Sequence, residues 1–278
     1  MTDVAAMRLE ARQGRGQIYF RAFVGLLLRD TRVLRRQVFA ISARTLINPL
    51  LFVFVFTYLF PKIGQEVAAG RGISFATVLL PGLVAVSIMF QGIATVALPL
   101  AIEFGTTREI EDRVMTPLPV SGVALAKIVF STAQSVLAAA VVFPLVYFIP
   151  ATPVHVHVSS WPLLVLVVLI GGFVSGAMGL TIGTLFKPNQ IGLIFAVIVV
   201  PTTFLGCVYY PWAYLAAARW LQILVLLNPL VYMSEGLRAA LTPELPHMPT
   251  GAVVGALALL TVVLTWAGIR GFLRRVLT

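Results

Sequence analysis

The sequence predicts an all-α integral membrane protein with six transmembrane helices, an N-terminal interfacial amphipathic helix and re-entrant half-helices before the last span. Three observations carry that prediction. Hydrophobic residues make up 59% of the 278-residue chain and charged residues 11%, with a mean hydropathy of +0.99, whereas a typical soluble domain carries about 25% charged residues. Charge-free stretches separate Arg71 from Glu103, Lys127 from Lys187, Lys187 from Arg219 and Glu244 from Arg270. Each is long enough for the roughly 20 apolar residues that cross a bilayer. The runs are also continuously apolar, whereas a barrel needs short alternating segments, so helices are the way to satisfy their backbone groups in lipid.

The expected spans are 40–60, 74–98, 121–149, 162–186, 190–210 and 250–269. The first is the run TLINPLLFVFVFTYLFP, extended on its N-terminal side by Val38 to Ser42. The long stretch after Lys127 holds two spans, because ATPVHVHVSSWP reads as a short polar turn between them. About 40 polar and basic residues precede the first apolar run, unlike the short n-region of a cleavable signal.

The net charge of +10 is explained by where the basic residues fall. Arg8, Arg12, Arg15, Arg21, Arg29, Arg32, Arg35, Arg36 and Arg44 precede the first apolar run, which begins at Thr45, and Arg270, Arg274 and Arg275 follow the last span. Six spans with both termini cytoplasmic also place Arg108, Arg113, Lys127 and Lys187 inside, leaving Lys62, Arg71, Arg219 and Arg238 outside or in the outer half. The expected location is therefore a membrane, multi-pass, and the charge calls for no nucleic acid. The single cysteine, Cys207, permits no internal disulfide and reads as a small buried hydrophobe.

Residues 17–39, QIYFRAFVGLLLRDTRVLRRQVF, form the expected interfacial helix. At 100° per residue Arg21, Arg29, Arg32, Arg35 and Arg36 share an arc of about 120°, and Phe20, Phe23, Leu27 and Leu34 project away from it. Such a helix lies along the inner membrane surface, with arginines at the headgroups. It serves either as a juxtamembrane anchor or as a docking surface for a cytoplasmic partner.

In the fourth span Gly172, Gly176, Gly179 and Gly183 mark a close-packing face. The spacing leaves open whether the partner helix belongs to this chain or to a second copy.

Two connections hold most of the polar information. On the cytoplasmic side, residues 103–117 bring together Glu103, Arg108, Glu109, Glu111, Asp112 and Arg113. Thr106-Thr107 reads as a helix start, and Pro117 and Pro119 as its end. This is either a solvated hairpin or a short amphipathic helix able to enter a groove on another protein. On the outer side, residues 211–241 are too apolar for a loop, and Pro211 and Asn228-Pro229 cut them into pieces too short to span, as re-entrant helices require. Tyr209, Tyr210, Trp212, Tyr214, Trp220 and Tyr232 supply an aromatic belt, and Glu235 and Arg238 are spaced to pair.

Catalytic chemistry is not legible. No GxxxxGK[ST], HExxH or GxSxG sequence occurs. His155 and His157 make a weak metal claim, so no metal and no catalytic residue is expected. Apart from Arg44 at the start of the first, the six spans carry no Asp, Glu, His, Lys or Arg except Lys127, which argues against ion-coupled transport.

The order and spacing of three features around six hydrophobic segments resemble the membrane subunit of type-2 ABC exporters, which include antibiotic, lipid and surface-glycan exporters. They are the basic helix before span one, the loop GTTREIEDRVMTPLPVSGVALAK, and the segment FLGCVYYPWAYL…LNPLVYMSEGLRAAL. The resemblance covers nearly the whole chain as a single permease domain, 1–278. It implies two permease copies, as a likeness to homodimers suggests, and two copies of a separate ABC ATPase that carry the ATP and magnesium. It further implies that residues 103–117 form a coupling helix in a cleft of that ATPase, and that the half-helices of 211–241 gate a pathway between the copies. The cargo so implied is a hydrophobic drug or a lipid. Lipid-linked polysaccharide is the alternative cargo, and a membrane-embedded lipid-modifying enzyme or a scaffold the alternative class.

Overall fold

In a computed structural model of the chain, the described residues are 16–32, 47, 50–51, 54–63, 74–107, 118–150, 154 and 156–277. They are helical apart from short connections, and no strand occurs among them. Most of the first expected span and all of 108–117 lie outside the described residues, as do Arg35, Arg36 and His155. Near the end of that span, Phe54–Leu59 is π-helical and runs into an α-turn at Phe60–Lys62.

The helices are α1 (16–32), α2 (Phe75–Ile102), α3 (Val120–Phe148), α4 (Trp161–Leu185), α5 (Pro188–Phe204), α6 (Arg219–Leu227), α7 (Pro229–Leu241) and α8 (Thr250–Leu277). Their starts follow local chemistry. Ser160 caps α4, its hydroxyl accepting the Leu163 N–H at 3.4 Å, with proline in the first turn. Asn228 does the same for α7 by accepting the Leu230 N–H at 2.9 Å, again just ahead of a proline.

Four helices among the described residues are long and apolar enough to cross a membrane: Phe75–Gly105, Val120–Phe148, Trp161–Leu185 and Thr250–Val276. They match the second, third, fourth and sixth expected spans. The fifth differs from its expected range of 190–210. α5 ends at Phe204, giving a length of about 25 Å at 1.5 Å per residue, and a π-helical stretch at Phe195–Val199 interrupts it. The chain then turns through Leu205 to Val208, where Cys207 adopts a left-handed backbone with φ 53°.

α2 and α4 form the centre of the bundle, with α3, α7 and α8 packed around them. The glycine face of α4 is used inside the chain. A Cβ at Gly179 would lie 2.8 Å from the Ile93 carbonyl oxygen of α2, and one at Gly183 2.9 Å from that of Ala97. Gly172 and Gly176 face α3 instead, against Thr132, Ser135 and Ser131. Ser131 and Ser135 donate from α3 to the carbonyls of Gly92 and Ile88 on α2, at 2.9 and 3.0 Å. Without side chains in the way, the backbones approach closely and these short polar groups bridge them.

Candidate functional site

Two polar clusters stand at opposite ends of this apolar bundle. The first is built on the bent pair α6–α7, whose axes meet at 98°. The bend falls at Asn228-Pro229, where the proline cannot extend α6 and the asparagine opens α7. The Asn228 amide also donates to the Thr202 carbonyl at 2.7 Å, fastening the bend to the end of α5.

About two turns into α7, Glu235 and Arg238 form an ion pair with both side chains 0% exposed. The carboxylate accepts two backbone N–H groups in addition: Trp212 at 2.9 Å and Met248 at 2.8 Å. Arg238 donates to the Cys207 carbonyl at 3.0 Å. A buried charge is costly unless paired and hydrogen-bonded, and here the pair unites the turn after α5, the start of the 3-10 segment Trp212–Ala217, α7 and the approach to α8. The turn is also seated on α2, because Gly82 leaves room for the Val208 backbone.

The aromatic residues divide. The Trp212 indole N–H donates to the Gln222 carbonyl at 3.1 Å, and the Tyr232 hydroxyl to that of Leu226 at 2.9 Å. The Tyr210 hydroxyl reaches the Phe204 carbonyl at 3.4 Å, and the Tyr209 ring lies 6.0 Å from that of Phe204. Tyr214 and Trp220 are exposed. The spacing of Glu235 and Arg238 makes their pairing readable from sequence; their backbone partners, distant in the chain, are not.

The second cluster lies at the basic end of the bundle. Glu103 to Thr107 continue α2 as a π-helical extension, and the helix expected to start at Thr106-Thr107 falls on residues 108–117, outside the described residues. The Glu103 side chain turns into the protein, 8% exposed, and meets Lys127 of α3, 9% exposed, whose ammonium lies 2.7 and 2.9 Å from its two oxygens. Lys127 is the sole charge in its stretch of chain, and that isolation was the available signal for a buried partner.

Beside this pair the Phe104 ring meets Phe272 of α8 at 5.6 Å, and the Arg275 guanidinium covers Phe104 at 4.9 Å. Arg275 also donates to the carbonyls of Gly183, Thr184 and Phe186, at 3.3, 2.8 and 3.2 Å, so it caps the C-terminus of α4 where a cation is favoured. α1 rests against the same end through Leu26, Ala22 and Phe23, packed with Leu118, Val123 and Phe272. Its Arg29 and Arg32 remain exposed, and Phe20, 69% exposed, lies off the bundle.

A bundle of long apolar helices with a buried ion pair near each end is the build of a polytopic membrane protein. The chain belongs to the ABC-2 type transporter membrane family, whose model matches residues 21–242. It is thus a permease subunit of an ABC transporter, a kind of subunit that works with an ABC ATPase. It is similar to the inner membrane transport permease YadH of Escherichia coli K12, at 28% identity over 202 residues that cover 71% of this chain and 75% of the relative. The proteins of that name from Escherichia coli O157:H7 and Shigella flexneri match to the same extent.

Proposed function

We propose that this chain is the membrane-spanning subunit of an ATP-driven exporter in a bacterial inner membrane, moving a hydrophobic or amphipathic cargo, a drug or a lipid, outward. Two copies of the chain pair as a homodimer and work with two copies of an ABC ATPase, which bind the ATP and magnesium. Six spans arise from the first apolar run, α2, α3, α4, α5 and α8, with both termini cytoplasmic and the bent pair re-entrant from the outer face.

The observation that carries the reading is the bent pair itself. Two short apolar helices at 98°, tied to the turn after α5, Trp212 and Met248 through one buried ion pair, make a single block. Such a block suits an outer gate. At the other end, the Glu103–Lys127 pair brackets the segment holding Arg108, Glu109, Glu111, Asp112 and Arg113, which suits a coupling element pressed by the ATPase. In this reading, closure of the ATPase subunits pushes that segment, α2 and α3 carry the displacement together, and the outer blocks of the two copies part.

The test is reconstitution of the tagged chain with its co-purified ATPase in vesicles, followed by ATP-dependent movement of a fluorescent phospholipid or a lipophilic dye. Outward movement that stops when the ATPase is inactivated supports the proposal. Recovery of the chain without an ATPase, or ATP turnover with neither probe moved, overturns the whole reading or the cargo class respectively.

A further inference from the structure

Between the basic ends of α4 and α8 runs a groove of about 850 Å³, lined by Thr181, Thr184, Trp266, Arg270, Arg274 and Arg275 among others, with no acidic residue in its wall among the described residues. Arg275 is committed to the α4 carbonyls and so holds one side of the groove in place. Arg270 and Arg274 are exposed. The Arg270 guanidinium stacks on the Trp266 ring, 5.1 Å from its centroid, and makes no hydrogen bond or ion pair among the described residues.

The groove opens onto a second feature. Leu259, Val262, Val263 and Trp266 are exposed along α8. Their spacing puts them on one stripe that continues, eleven residues beyond Leu259, to Arg270. From Leu259 to Arg270 the helix rises about 16 Å, close to half of the roughly 30 Å hydrocarbon core. An apolar track one leaflet deep therefore ends in a cationic pocket beside a tryptophan, the residue that favours the membrane interface.

We infer that this groove binds an anionic phospholipid, with the headgroup phosphate on Arg270 and Arg274 and an acyl chain along the α8 stripe. Charge complementarity selects the headgroup, and the stripe selects a lipid over a free anion. The leaflet occupied is the cytoplasmic one if the orientation proposed above holds; the binding itself does not depend on that orientation or on transport.

The experiment is native mass spectrometry of the purified full-length chain, delipidated and then titrated separately with phosphatidylglycerol, phosphatidylethanolamine and inorganic phosphate. One phosphatidylglycerol is expected to stay bound at collision energies that strip phosphatidylethanolamine. The Arg270→Gln, Arg274→Gln double variant is expected to lose at least about ten-fold of that affinity, and the Arg270→Lys, Arg274→Lys variant to keep most of it. Equal retention of the two lipids overturns the proposal, as does unchanged binding in the glutamine variant or displacement of the lipid by inorganic phosphate. Should the glutamine variant fail to fold, thermal unfolding of the wild-type chain in mixed micelles decides the matter: a rise with phosphatidylglycerol alone supports the site, and an equal rise with both lipids overturns it.

Discussion

The ammonium of Lys127 lies 2.7 Å from one carboxylate oxygen of Glu103 and 2.9 Å from the other, tying the π-helical end of α2 to α3 across the connection between them. The pair sits where the bundle meets its basic end, beside Phe104, Phe272 and Arg275. Its removal therefore affects more than local charge.

Glu103→Gln and Lys127→Met are each expected to destabilise the chain by about 3 kcal/mol, because each leaves one buried charge without its counterpart. The double variant should recover much of that loss, since it buries no charge. Melting midpoints of the four proteins in detergent check this. Additive losses would mean that the two side chains are not coupled.

Glu235→Gln should be more damaging than Arg238→Met. The carboxylate serves Arg238 and two backbone N–H groups, and its neutral replacement leaves a buried guanidinium unpaired. Loss of the arginine leaves the carboxylate with its two backbone donors. The expected order in melting midpoint is wild type, Arg238→Met, Glu235→Gln. Proteolysis between Cys207 and Met248 should accelerate in the same order.

Gly179→Ala and Gly183→Ala should each cost about 1–3 kcal/mol, because the new Cβ would meet the backbone of Ile93 or Ala97, neither of which can rotate away. Gly255→Ala, in α8 with nothing within 4 Å, should leave stability unchanged or raise it by up to about 1 kcal/mol. Equal effects at the three positions would show that close approach to α2 is not what these glycines provide.

Glu109→Ala and Arg113→Ala should leave assembly with the ATPase intact while lowering transport per ATP hydrolysed, following from the proposed coupling role of the segment that holds them. Transport and ATP turnover measured in the same vesicles give the ratio. Wild-type ratios in both variants would remove the coupling assignment.

Much of this protein was legible in its sequence because the membrane is a severe solvent. Charge-free runs of span length have to be helices, and four of the six expected spans are single long helices in the structure. The short range of helical contacts made the Glu235–Arg238 pairing readable as well. The break at Asn228-Pro229 follows from proline alone.

Partnership between distant segments was not legible. Four-residue spacing marks α4 as a surface of close approach, yet only the fold decides that Gly179 and Gly183 face α2 while Gly172 and Gly176 face α3. Glu103 sits in a charged run with Glu109, Glu111 and Asp112, and the fold alone turns its side chain inward to Lys127. The early end of α5 at Phe204 likewise depends on Asn228, Leu230 and Gly82, all remote in the chain. The bilayer fixes which segments are helices through backbone hydrogen bonding, which is local. Which faces meet depends on interlocking shapes and buried polar partners, which are not.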